Sequence, residues 1–178
     1  MPELRLELRD NEWEYTGTDH DRLIARAIVA DNEGLFTFVH VDRDDLFGRA
    51  QYIETSGGGL EPGEDPAAGL LRELREELGA ETEILCEIGM VSDYYNLIHR
   101  HNLNRYFLCR VLSFGEPALT EDEKKLYHLT KIRLTYDEAV AAYEKGRETK
   151  IGRLVANREL PVLRKAKEVL DLLQDGEN

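Results

Sequence analysis

Residues 57–80 read GGGLEPGEDPAAGLLRELREELGA, a run of three glycines followed by a strongly punctuated helix. Asp65 is placed to act as N-cap, Pro66 falls at the first helical position, and Gly79 ends the helix. With about 100° per residue and Leu70 as origin, Ala67, Leu70, Leu71, Leu74 and Leu78 share one arc. That arc must be buried against other structure. Glu73, Glu76 and Glu77 occupy a second arc beside it, at the i/i+3 and i/i+4 separations that bring side chains together. The glycines let backbone groups reach the same space.

Three like charges at that spacing repel by a few tenths of a kcal/mol per pair in water. Arg72 and Arg75 relieve part of this, which alone would make the segment a solvated acidic face. Hard divalent cations offer another compensation, because Mg²⁺ takes carboxylate oxygens together with substrate phosphate oxygens. The whole chain is acidic, with 23 Lys and Arg against 36 Asp and Glu and a net charge of −13. That balance argues against a nucleic-acid polymer as partner, which would call for a basic face. It leaves small phosphorylated ligands open, since a bound cation reverses the sign locally.

The 178 residues suit one domain spanning 1–178, and the 42% hydrophobic content is that of a folded protein. Residues 1–15 are charged throughout with no apolar leader core, and no apolar run approaches the ~20 residues that cross a bilayer. A cytoplasmic protein with no membrane partner is expected. Cys86 and Cys109 are isolated thiols in apolar runs, expected to be buried and unpaired.

Strands are expected at 22–30, 35–41, 51–55, 84–91, 105–113 and 128–134, with a turn at Asp31–Gly34. Thr135 and Glu138 have capping-box spacing and open a helix to about Lys145. A final helix is expected over about 158–174, with Leu160, Leu163, Ala166, Leu170 and Leu173 as its apolar stripe. Strands mixed with a few helices predict an α/β sandwich with a mixed sheet.

The glycine–helix segment resembles the Nudix box, G-x5-E-x7-R-E-U-x-E-E-x-G-U, where U is a bulky aliphatic residue. Gly58, Glu64, Arg72, Glu73, Leu74, Glu76, Glu77 and Gly79 fall on its required positions, and the box spans 58–80. Ala80 departs from the usual aliphatic residue, and Ser56 stands where many members have proline. The resemblance implies a Nudix-type α/β/α sandwich with a loop–helix–loop catalytic box. It also implies Mg²⁺- or Mn²⁺-dependent hydrolysis of a diphosphate linkage in a nucleoside diphosphate derivative. Glu73, Glu76, Glu77 and the Gly58 carbonyl would be metal ligands, and Glu64 and Arg72 a supporting ion pair. Members are often dimers, so a homodimer is among the expected assemblies.

In the family the general base is a box glutamate, here Glu73, or a glutamate on a later loop, where Glu121 and Glu123 are available. Thr120 and Glu123 also have capping-box spacing, so the loop pair has a structural reading as well. Substrate pointers are thinner. Tyr94 and Tyr95 lie near where dinucleoside-polyphosphate hydrolases of the family carry a tyrosine. Ala156-Asn157 with Pro161-Val162 resembles the bacterial oxidised-dGTP hydrolases, whose matching asparagine reads the base, although an N-cap is the ordinary use of such an asparagine. Arg100 and Arg105 are positioned to meet phosphate, while His99 and His101 are too few for a second metal site.

The leading expectation is a MutT-like hydrolase of a nucleoside triphosphate, ordinary or oxidised. The alternatives are an ADP-ribose or dinucleoside-polyphosphate hydrolase and a non-catalytic Nudix-fold nucleotide sensor. The isopentenyl diphosphate isomerase branch ranks last, because residues 42–60 lack the cysteine it uses.

Overall fold

The computed structural model describes residues 3–176, so the two residues at each end of the expected 1–178 domain lie outside the described residues. Eight strands follow in chain order: β1 Leu4–Glu7, β2 His20–Ala30, β3 Phe36–Asp45, β4 Gly48–Glu54, β5 Ser56–Gly59, β6 Ala80–Tyr95, β7 Arg100–Phe114 and β8 Thr130–Leu134. The helices are α1 Pro66–Leu78, α2 Glu121–Lys125, α3 Tyr136–Gly146 and α4 Lys150–Gly176. The main sheet order is β1-β6-β7-β2-β3-β4, with β5 added beside β2 and β8 beside β3. Parallel pairs (β1 with β6, β2 with β7) stand among antiparallel ones, so the sheet is mixed. Helix α1 packs on β2, β5 and β6, while α4 covers β2, β4 and β6 and pairs with α3. The architecture is an α/β/α sandwich.

Burial follows the sequence pattern closely. Leu70, Leu74 and Leu78 of α1 are fully buried, as are Ala27, Ile28 and Val29 of the central strand, because a strand covered on both faces is apolar on both. Asp65 caps α1 by accepting from the Ala68 amide at 2.9 Å, and Gly79 ends it in the left-handed conformation. Thr135 and Glu138 form the expected capping box, and Thr120 and Glu123 form a second one that starts the short α2. Cys86 and Cys109 are free thiols, and burial pushes the Cys109 pKa up to about 12.

Several elements differ from expectation, including β5 and α2, which are short additions to the expected set. Strand β1 was not anticipated, since four residues in a charged segment give little signal, although Leu4 and Leu6 alternate as a half-buried edge does. The hairpin strands β6 and β7 run well beyond 84–91 and 105–113, because their pairing with each other continues from Ala80 with Phe114 to Tyr95 with Arg100. The last helix starts at Lys150 rather than 158. Asn157 and Pro161 resemble start signals, yet both lie inside the helix, where Ile151, Leu154 and Val155 bury an extra two turns of apolar stripe. That burial outweighs the hydrogen bond Pro161 removes, a loss of about 3 kcal/mol in an exposed helix.

The β2–β3 turn is organised by Asp31, which accepts from the amides of Glu33 at 2.8 Å and Leu35 at 3.0 Å and pairs with Arg133 on β8. Burial works to raise the Asp31 carboxyl, but the Arg133 hydrogen bond and the two amides outweigh it and hold the pKa below the ordinary carboxylate value. A lowered folded-state pKa means stability that is fully present above the unfolded value of about 3.9 and lost as pH falls through the folded one. Asp31→Asn keeps the turn acceptor and removes the charge. It is expected to cost about 1–2 kcal/mol at pH 7. In urea unfolding, the gap from the parent should close as pH drops below the carboxylate range.

Candidate active site

The box folds as a strand, a turn and a helix, and each glutamate has a distinct environment. Arg72 is the hub. It donates to Glu64 at 3.2 and 3.3 Å, to Glu73 at 3.0 Å and to Glu76 at 3.3 Å. The Arg72 bonds and the Glu61 amide hold the Glu64 carboxyl below the usual range. Glu73 lies against bare backbone, since a Cβ on Gly58 would sit 2.8–3.0 Å from its carboxyl atoms. Glu77 accepts from Ser56 Oγ at 3.2 Å. Ser56, at the position of the expected proline, thus serves as a donor to a box carboxylate.

Electrostatics single out Glu73 and Glu77. Burial first raises the Glu73 pKa, Arg72 opposes it, and Glu76 and Glu123 raise it further. Glu77 is pushed well above the ordinary value by burial, then by Glu73, with Arg26 opposing and Glu123 adding. Glu123, on α2, therefore faces the box. Its Oε1 closes the α2 capping box, whereas Oε2 is buried with no hydrogen-bond partner. Glu121 points elsewhere, exposed and paired with Lys125 at 2.9 Å.

A cavity of about 240 Å³ opens beside these groups. Gly57, Gly58 and Glu77 line it from the box, and Arg22, Arg26, Arg43 and Arg100 line it from the sheet. Phe47, Tyr95 and Tyr127 add aromatic surface, and Arg43 lies 4.8 Å over Phe47 and 4.9 Å over Tyr127. Of the larger hollows, those of about 340 and 450 Å³ reach no box residue, and one of about 380 Å³ touches Arg75, Glu76 and Gly79 at the C-terminal end of α1.

The cavity floor is fixed by a buried ionic network on α4. Arg158 donates to Glu54 at 2.7 Å, Asp93 at 3.1 Å, Tyr95 Oη at 2.7 Å and Tyr106 Oη at 3.0 Å. Glu159 accepts from the Thr55 amide at 2.7 Å, from the Thr55 hydroxyl, and from Tyr106 at 2.7 Å and Tyr143 at 3.1 Å. Thr55 directly precedes β5, so Glu159 anchors the strand that carries Gly58.

The NUDIX domain family model matches residues 20–151, well over half of the chain. The chain belongs to the Nudix family. A Nudix hydrolase of Nitrosomonas europaea has a similar fold at 18% identity, with a TM-score of 0.64, 84% of this chain and 90% of that one covered. The E. coli ORF135 protein is similar at 19% identity and a TM-score of 0.56, with the same coverages of 84% and 90%. The MutT protein of Methanosarcina mazei is similar at 16% identity and a TM-score of 0.54, covering 72% and 85%. Among curated proteins, none matches this sequence. The chain is thus a Nudix diphosphohydrolase, of a family that generally uses divalent cations and acts on small nucleotide substrates. No described helix is long and apolar enough to cross a membrane.

Several candidate residues lie away from the cleft. Tyr95 lines it, but Tyr94 stacks on His101 and faces another hollow. Arg105 is held by Glu87 at 2.7 and 2.9 Å and does not line the cavity. Asn157 is exposed in the middle of α4, accepts from Arg147 at 2.7 Å and does not line the cavity, so it is neither an N-cap nor in position to read a base there. His99 and His101 turn to separate partners. Arg22, Arg26, Arg43, Glu54, Arg158 and Glu159 were not singled out from sequence, since single charged residues in strands or helices carry no spacing signal.

Among the described residues, no three His, Cys, Asp or Glu side chains are gathered into a ready-made metal site. Arg72 holds Glu73 and Glu76, and like charges keep the rest apart. The donor set nonetheless fits a hard cation. It consists of hard oxygens, the carboxyls of Glu73 and Glu77 are raised first by burial and then by neighbouring carboxylates, and a buried oxygen of Glu123 lacks a partner.

Removing Arg158 would leave Asp93 without its ion-pair partner and Glu54 with Arg26 alone. Arg158→Met should therefore destabilise by about 3–5 kcal/mol, read as a lower urea midpoint at unchanged slope.

Proposed function

We propose that this chain hydrolyses a diphosphate linkage of a nucleoside triphosphate, ordinary or oxidised, with Mg²⁺ or Mn²⁺. The observation that carries the reading is the juxtaposition of raised, mutually repelling carboxylates (Glu73, Glu77) with a cavity lined by four arginines. Glu73, Glu76, Glu77 and the Gly58 carbonyl are the groups that would hold the cation. When bound, it neutralises the diphosphate and lowers the pKa of water.

The chain's own residues supply the rest. Arg26 and Arg43 face the cavity and bind phosphate oxygens, while Phe47 and Tyr127 offer faces for a base. Arg72 orients Glu73 and Glu76 through its ion pairs. Glu123 is the better-placed base, because its Oε2 is buried, unpartnered and facing the box, whereas Glu73 is tied to Arg72 and Glu121 to Lys125. It takes a proton from water as the water oxygen bonds to phosphorus. The bridging P–O bond breaks, and its electron pair leaves on the departing phosphate oxygen.

The test is a hydrolysis panel of ordinary and oxidised nucleoside triphosphates, ADP-ribose, NADH and dinucleoside polyphosphates, each with Mg²⁺ or Mn²⁺. One preferred triphosphate is expected, cleaved by the parent and lost in Glu76→Gln and Glu77→Gln. Glu123→Gln should lower kcat by about 10²- to 10⁴-fold. Unchanged turnover in the box variants would overturn the assignment. Silence across the panel with cation binding intact would point to a nucleotide sensor instead.

A further inference from the structure

Two of the four cleft arginines have no acidic partner. Arg26 is matched by Glu54 at 3.1 Å, and Arg43 by Asp45 at 2.8 Å. The Arg22 side chain makes no hydrogen bond or ion pair among the described residues. Arg100 donates to the neutral Asn102 Oδ1 at 2.7 Å and lies 5.1 Å over the Tyr95 ring. Burial first, and then the charges of Arg22 and Arg26, hold the Arg100 guanidinium below the usual arginine range, against the pull of Tyr95 and Asp93. Elsewhere on this acidic chain arginines find carboxylates readily, as Arg105, Arg110, Arg133 and Arg153 do. Two unmatched neighbours in one cavity therefore stand out.

Strand β5 supplies an independent observation. A Cβ on Gly59 would fall 2.7 Å from Arg22 Nε and 2.9 Å from its Nη2, so the guanidinium lies directly across bare backbone. On Gly58, one residue earlier, the group lying against the backbone is the Glu73 carboxyl. Successive strand residues face opposite sides. The bare run 57–59 of β5 thus has a box carboxylate on one side and an arginine on the other, and one cavity reaches Gly58, Glu77, Arg22 and Arg100.

We infer that Arg22 and Arg100 form a second anion seat, which takes a substrate phosphate lying beyond the linkage that is hydrolysed. The inference rests on the hydrolase reading above for where that linkage sits, and it narrows the substrate to compounds with three or more consecutive phosphates. A phosphate here accepts from two guanidinium forks and removes the repulsion between them. The glycine run 57–59 lets a polyphosphate chain cross between the two seats without meeting a side chain. A nucleoside diphosphate sugar, whose anionic chain ends at the diphosphate, leaves both arginines unmatched.

Calorimetric titration in EDTA with inorganic tripolyphosphate and with pyrophosphate tests this without turnover. The parent should bind tripolyphosphate more tightly than pyrophosphate. Arg22→Gln and Arg100→Gln should each weaken tripolyphosphate by about tenfold and reduce the preference, as expected for charge-assisted hydrogen bonds. Gly59→Ala should move the same way by displacing Arg22. In turnover, the rise in KM should be larger for a nucleoside triphosphate than for ADP-ribose. Arg22 is exposed, so its variant keeps the test decisive if Arg100→Gln fails to fold. Equal affinity of parent and variants for tripolyphosphate, or no preference in the parent, would overturn the seat. A chain that shows the binding pattern and hydrolyses nothing keeps the seat and loses the hydrolase reading. One that hydrolyses a triphosphate with unaltered variants loses the seat alone.

Discussion

The contact between the Glu73 carboxyl and the bare backbone of Gly58 sets the terms for the rest of the site. It places a negative charge against a strand that could not accept any side chain there. It also brings Glu73 within repulsive range of Glu76, Glu77 and Glu123. Arg72 offsets part of that repulsion and fixes the direction of two carboxylates. What Arg72 cannot reach stays unbalanced, namely Glu77 and the free oxygen of Glu123. Functional sites are where a fold tolerates such imbalance, provided the surrounding structure holds it in place.

That holding comes from the other side of the sheet. Arg158 and Glu159 are both almost fully buried, and between them they collect Glu54, Asp93, Thr55 and three tyrosine hydroxyls. A buried ionic network is weak evidence for stability in itself, because desolvation offsets much of the attraction. Its position explains it better. It ties α4 to the residue that leads into β5 and to Glu54 and Tyr95 in the cavity wall, so the glycine strand, the arginine wall and the box helix keep one relative arrangement.

Much of this was legible in the sequence because spacing carried it. The Asp65 cap, Pro66, Gly79 and the 3.6-residue leucine stripe act locally and give α1 its observed bounds. The same spacing aligned the box residues with the family pattern that matches residues 20–151. What was illegible depends on contacts distant in the chain. The start of α4 is decided by burial of Ile151 and Leu154 against the sheet, which overrides the local signals of Asn157 and Pro161. The cleft arginines come from three strands and have no shared period. Tyr95 and Arg105 appeared equivalent as candidates, yet register puts Tyr95 in the cavity and turns Arg105 to Glu87. Glu123 and Glu121 likewise differ by the direction in which α2 presents them, one toward the box and the other to Lys125.

The most direct test of the central claim, that the box carboxylates form an unbalanced cluster completed by a divalent cation, is thermal unfolding of the parent and Glu77→Gln at neutral pH, in EDTA and in Mg²⁺. In EDTA the variant should melt higher than the parent, because a repelled, desolvated charge is gone while Ser56 keeps an acceptor. Mg²⁺ should raise the parent Tm, as any ligand of the folded state does, and raise the variant's less. A variant that melts lower in EDTA, with a parent indifferent to Mg²⁺, would contradict the account.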